Sequence, residues 1–179
     1  MKTMGEALHE TRMLSSVRRK LQRLGFPTEA HWVQLAIQRG CNHYWQKGPS
    51  VIDPGPESIS NLEIATSLLA NESAYHPTFV RIAAQLISGE TDPDAVLRMA
   101  KLERFETPLR HIAEAGKTIE PDQILWTKLL EKLPDRSPPE AVLPHRDRFT
   151  TEAPVQAGQL RLKRSKQWLR PSPSTVRIN

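Results

Sequence analysis

The residues of this chain best equipped for chemistry are cations. Arg161, Lys163, Arg164, Lys166 and Arg170 lie close together near the C-terminus, beside Trp168 and with no acid among them. Lysine and arginine neutralise phosphates, and an indole ring stacks on an unpaired base. The same cations also fit an acidic protein surface, belonging either to this chain or to a partner. A second basic cluster is Arg18, Arg19 and Lys20, flanked by Arg12 and Arg23. It falls towards the end of a helical pattern, where cations complement the helix dipole without any partner. A solvated helix face therefore accounts for it as readily as a binding surface.

Two further groupings contain reactive side chains. His31, Cys41 and His43 stand among Trp32, Tyr44 and Trp45. Zinc prefers tetrahedral Cys and His ligands, but one cysteine without a second pair at ligand spacing predicts no metal site. The aromatics read instead as an apolar lid where the first two helices join the rest. His76 and His111 share the central block with Glu72, Glu103, Glu106 and Glu114. Histidine near carboxylate is the raw material of acid–base catalysis. No nucleophile motif, glycine-rich phosphate loop or metal spacing accompanies it. The expectation is therefore no catalytic residue, no cofactor, no small-molecule substrate and no enzymatic activity. Arg98, Arg104 and Arg110 are expected to pair with those acids along helix faces.

Charge divides the chain of 179 residues into three. Residues 1–48 hold eight Lys and Arg against three acids, residues 49–133 eight against thirteen, and residues 134–179 nine against four. The segment sums are +5, −5 and +5, which add to the formal +5 of the whole. A basic helical pair (1–48), an acidic helical centre (49–133) and a basic tail (134–179) are the expected units. Only the ends can supply a contact to an acidic partner or to nucleic acid. The single cysteine excludes an internal disulfide and suggests a reducing compartment. No apolar run approaches the roughly 18 residues of a membrane span. The expectation is a cytoplasmic protein without a membrane partner.

The elements that must position these residues are helical. Leu14, Val17, Leu21 and Leu24 predict a first helix over about Glu6–Leu24, stopped by Gly25. Thr28 caps a second, with Trp32, Val33, Leu35, Ala36 and Ile37 inward and Gly40 as its end. Cys41–Glu57 reads as a linker or ordered loop. Ser60 and Glu63 match the capping box of a third helix. Four prolines, Pro77, Pro93, Pro108 and Pro121, then stand at predicted helix starts, since proline suits the first helical position. His76 and Glu120 are poor caps ahead of two of them, whereas Asp92 and Thr107 are good ones. Gly89 and Gly116 read as helix stops. Leu62, Leu69, Val80, Ala84, Ile87, Leu97, Ala100, Leu109, Ile112, Ile124 and Leu129 form the expected core.

The fold prediction is all-α: an irregular multi-helix bundle with a proline-rich basic C-terminal extension. A short helical array is the alternative, but the residues between the prolines do not repeat. After Pro134 the prolines break any helix, so the tail reads as extended or disordered. Gln159–Leu169 differs, reading as a short strand or a docked arm. The functional expectation is a non-enzymatic interaction or adaptor protein. One or both basic ends would dock on an acidic protein surface or on a larger assembly. Nucleic-acid binding through the same ends is the second expectation.

Overall fold

Ser60 and Glu63 begin a helix as their types require. In the computed structural model, residues 15–44, 46–70, 76–135, 143–155 and 163–172 are described. There the Ser60 hydroxyl accepts from the Glu63 N–H at 3.1 Å, and the Glu63 carboxylate accepts from the Ser60 N–H at 2.9 Å. Two backbone donors that the helix cannot satisfy internally are thereby paired.

Seven α-helices occur among the described residues: α1 Ser16–Arg23, α2 Glu29–Gln38, α3 Asn61–Leu69, α4 Pro77–Ile87, α5 Pro93–Glu103, α6 Glu106–Ile119 and α7 Ile124–Lys132. The fold is all-α in character, with one small addition. Strands β1 Thr150–Val155 and β2 Lys163–Trp168 form an antiparallel pair, with Thr150 opposite Trp168 and Val155 opposite Lys163.

Helices α3 and α4 pack together at the centre. Ile64–Leu69 and Ile82–Ile87 are buried at every position, so these stretches face neighbours all round. The polar residues caught there bond locally. Ser67 Oγ donates to the Ile64 carbonyl and Ser88 Oγ to the Gln85 carbonyl, both at 2.7 Å. One apolar cluster takes in Val17 and Leu21 of α1, the helical centre, and Phe149 and Trp168 of the C-terminal segment. All three charge segments thus contribute to one core.

Several helix boundaries differ from the sequence expectation, each for a visible reason. Ser15 is the N-cap of α1, its Oγ accepting from the Arg18 N–H at 2.9 Å. The predicted helix over Glu6–Leu24 therefore starts later; residues 6–14 lie outside the described residues. Pro77 and Pro93 open α4 and α5 as expected. His76, read as a poor cap, accepts from the Thr78 N–H at 3.3 Å. By contrast α6 starts at Glu106, so Pro108 is its third residue and Thr107 is not its cap. Pro121 precedes α7, which starts at Ile124. The even proline ladder is therefore not an even helix ladder.

Gly116 is not a stop either, because α6 runs on to Ile119. It is glycine because of what it faces: a Cβ there would overlap the ring of Trp126. Trp126 is fully buried on α7, with Leu125, Leu129 and Leu133. Ile124, expected in the core, is 65% exposed. The helix begins three residues after Pro121, and its apolar face is phased accordingly. Leu97 is only partly buried, and the other nine expected core residues are buried.

The described parts of the tail dock on the helices, and β2 Lys163–Trp168 falls within Gln159–Leu169, the stretch that reads as a short strand or docked arm. Phe149 stacks on Trp168 with ring centres 5.2 Å apart, and Trp168 meets Trp126 at 5.0 Å. His111 Nε2 donates to the Pro144 carbonyl at 2.7 Å and its ring meets the Phe149 edge. The Ser172 N–H donates to the Gly40 carbonyl at 3.0 Å. Pro154 breaks no helix but sits in the extended strand β1. A two-stranded sheet consists only of edge strands, where proline is tolerated.

Candidate functional site

The first basic cluster lies on α1, and α1 is anchored by a carboxylate. Glu103, at the end of α5, accepts from the Ser16 N–H at 3.1 Å and the Val17 N–H at 3.4 Å, and from the Ser16 hydroxyl. Negative charge at a helix N-terminus is favourable, and Glu103 is buried in that role. Val17 and Leu21 face the core, which fixes the direction of the four cations.

Two of those cations turn inward. Arg18 Nε donates to the Ser67 carbonyl at 2.9 Å, and its guanidinium lies 5.1 Å from the centre of the Trp32 ring. Burial pulls its pKa below the ordinary value, against the opposing pull of Glu29 and Glu103. Lys20 Nζ is 2.7 Å from the Glu63 carboxylate. Arg19 and Arg23 are exposed. Arg23 Nε makes one long contact, 3.4 Å, to the Arg19 carbonyl. Neither guanidinium has an acidic partner among the described residues.

The second cluster is arranged differently. Lys166 Nζ is 2.6 Å from Asp147, and its hydrogen bond holds the Asp147 carboxyl below the usual range. Arg170 grips Glu120 with two nitrogens, at 2.8 and 3.0 Å. Glu120 also accepts from Trp126 Nε1 at 3.2 Å, so one carboxylate holds both the C-terminal segment and a core ring. Trp168 is only 4% exposed. Its expected role as a stacking platform for bases does not survive in this fold, because its ring is already stacked on Phe149. Arg161 lies outside the described residues, as do the side chains of Lys163 and Arg164.

The two clusters pack on different parts of the body. α1 sits against α3, Trp32 of α2 and the end of α5, whereas the hairpin sits against α4, α6 and α7.

The histidine groupings are occupied structurally. His76 caps α4 and its ring lies tilted against Phe79, 4.7 Å between centres, and His111 holds the Pro144 carbonyl. Glu103 is engaged at α1 and Glu114 with Arg110 at 2.9 Å; Glu72 lies outside the described residues. Arg98 pairs with Asp92, at 3.7 Å, rather than with the expected glutamates. Arg104 pairs with no acid among the described residues. It caps α5 at φ 56°, in the left-handed region.

Cys41 is buried, which pushes its thiol pKa up to about 12. His31 Nδ1 lies 2.7 Å from Thr28 Oγ1. Trp32 is buried and donates to the Phe26 carbonyl at 2.8 Å. It is therefore a core residue rather than part of a lid; Trp45 and the Tyr44 side chain lie outside the described residues. Among the described residues no group of three His, Cys, Asp or Glu side chains could hold a metal ion. No helix among them is long and apolar enough to cross a membrane.

Sequence reasoning missed Trp126 and Phe149, and it named Glu103 and Glu120 without their partners. Gly116 was the one available signal, since a glycine inside a helical pattern often marks a close approach. No known family model matches this chain, and neither a curated protein nor a solved structure matches it.

Proposed function

We propose that this chain is a non-enzymatic interaction protein whose α1 helix docks on an acidic surface of a cytoplasmic partner or larger assembly. One observation carries the reading. Arg19 and Arg23 project from a helix that is anchored at its N-terminus and packed on its apolar side, and no acid engages them among the described residues. Preorganised cations lose little freedom on binding, so they favour association more than flexible ones. Lys166 and Arg170 support the reading by contrast, since their charge is already matched within the chain.

Fluorescence anisotropy against polyglutamate and against a single-stranded oligonucleotide tests it. Polyglutamate should bind wild type, and the double variant Arg19→Glu, Arg23→Glu should abolish that binding while leaving Tm unchanged. Unaltered binding by the double variant would overturn the reading. Oligonucleotide binding distinguishes the second expectation by its salt dependence. Two free cations give a slope of log affinity on log salt of about −1.4 on a single strand, whereas five give one steeper than about −3. A steep slope that flattens on replacing Lys163, Arg164 and Lys166 by alanine would move the function to nucleic acid and to the hairpin.

A further inference from the structure

A third basic surface lies where the sequence places net negative charge. Asp94, Leu97, Arg98 and Lys101 of α5 line a groove of about 270 Å³ with Glu106 of α6, Lys132 of α7 and the adjoining Leu133. Leu97 and Leu133 supply its apolar floor. Leu102 stands one helical turn beyond the groove-lining Arg98 and is a large apolar side chain, 69% exposed. Arg104 follows, between the groove-lining Lys101 and Glu106.

Arg104 is the one non-glycine residue with positive φ among the described residues, at 56°. A bulky side chain is strained there, and glycine is the usual occupant of this position after a helix. The charge around it is also out of keeping with its surroundings. Arg98, Lys101 and Lys132 line the groove with Asp94 and Glu106, in a segment that sums to −5. Lys132 already neutralises Asp94 at 2.7 Å, and the Arg98–Asp92 pair is long and exposed. Lys101 and Arg104 have no acidic partner among the described residues.

We propose that this corner is a docking site for an acidic amphipathic helix of a protein partner. The groove joins two leucines to a rim of charged side chains. It suits apolar anchors from one face of a helix, which recur three and four residues apart. Leu97, Leu133 and Leu102 meet those anchors, and Lys101, Arg104 and Arg98 meet the acids beside them. The proposal is independent of α1, since none of these residues belongs to it.

The probe is a fluorescein-labelled helical peptide with leucines three and four residues apart and glutamates between them. A scrambled peptide of the same composition is the control. Anisotropy with the full chain should show binding of the periodic peptide and at least about tenfold weaker binding of the scrambled one. Leu102→Asp and Lys101→Glu should each weaken the periodic peptide by about tenfold or more at unchanged Tm. Arg104→Gly separates docking from mere structure. It should raise Tm by relieving the backbone and at the same time weaken the peptide. Arg19→Glu with Arg23→Glu should leave this affinity unchanged. No binding at roughly millimolar peptide, equal binding of the scrambled peptide, or indifference to Leu102→Asp would each overturn the proposal. So would displacement of the peptide by a single-stranded oligonucleotide that binds the same residues.

Discussion

Helix α1 and the C-terminal hairpin are both rich in cations, yet the fold treats them in opposite ways. α1 is built locally. Its cap, its apolar stripe and its stop all lie within a few residues, and the distant Glu103 only secures one end. Its packing leaves Arg19 and Arg23 in water. The hairpin is built from distant partners: Phe149, Trp126, Glu120, Gln85 and Gly40 each hold part of it. Lys166 and Arg170 end on acids because the segment lies across an acidic body. A basic run in a sequence is thus a statement about supply. Whether the charge remains available depends on what the chain folds against.

The largest test of this contrast is Trp168→Ala. Removing a fully packed tryptophan typically costs about 3–5 kcal/mol. Trp168 lies between Phe149 and Trp126, so the loss should appear as a large fall in Tm. Arg19→Ala should change stability by no more than about 0.5 kcal/mol, as exposed substitutions do. Equal effects in thermal melts would mean that the hairpin is not part of the core.

Arg39 and Asp53 provide a comparison within the helical body. Arg39 binds both Asp53 oxygens, at 2.5 and 2.7 Å, and also Asn61 at 3.0 Å. The Arg39 side chain is only 8% exposed. The Arg39 hydrogen bond, aided by the Gly55 N–H, holds the Asp53 carboxyl below the usual range despite partial burial. A depressed folded-state pKa means stability that is fully present above the unfolded value, about 3.9. It is lost as pH falls through the folded value. Asp53→Asn should cost about 1–3 kcal/mol at neutral pH, and the penalty should shrink in strong acid. A penalty independent of pH would show that the ion pair is not its source.

Gly116→Ala should have a smaller effect. Alanine gains up to about 1 kcal/mol in an ordinary helix interior. Here the new methyl group would meet the Trp126 ring, and overpacking costs about 1–3 kcal/mol. The sum should be destabilising by about 1 kcal/mol. A rise in Tm would mean that Trp126 can move, and with it the seat of the hairpin.

Much of the helical body was legible because its signals are local. The capping box at Ser60, the Asp92–Pro93 start and the periodic leucines all act within a turn or two. The errors fell where a contact from far along the chain decides the outcome. Gly116 reads as a stop unless Trp126 is known to face it. Trp168 reads as an exposed ring unless Phe149 and Ala84 are known to receive it. The cations were legible as a resource, and their pairing was not. The partners of Lys166 and Arg170 lie 19 and 50 residues away. Nothing in local spacing marks Glu120 as the recipient.

The finest test concerns that Arg170–Glu120 pair, because the contrast with α1 rests on its charge being engaged. Its side chains are partly exposed, so solvent screens them and the coupling should be modest, about 0.5–1 kcal/mol. Single substitutions would mislead. Glu120 also receives the Trp126 N–H, so its loss disturbs the core as well. Glu120→Gln keeps an oxygen for that donor while removing the charge. Combined with Arg170→Ala in a double-mutant cycle, it isolates the interaction between the two side chains. The coupling should fall towards zero at about 1 M salt, where screening acts within about 3 Å. The corresponding cycle for Arg19 with Glu120 should give no coupling at any salt. If Arg170 and Glu120 also proved uncoupled at low salt, the hairpin cations would be as available as those of α1. The distinction between a stored and an offered charge would then be lost.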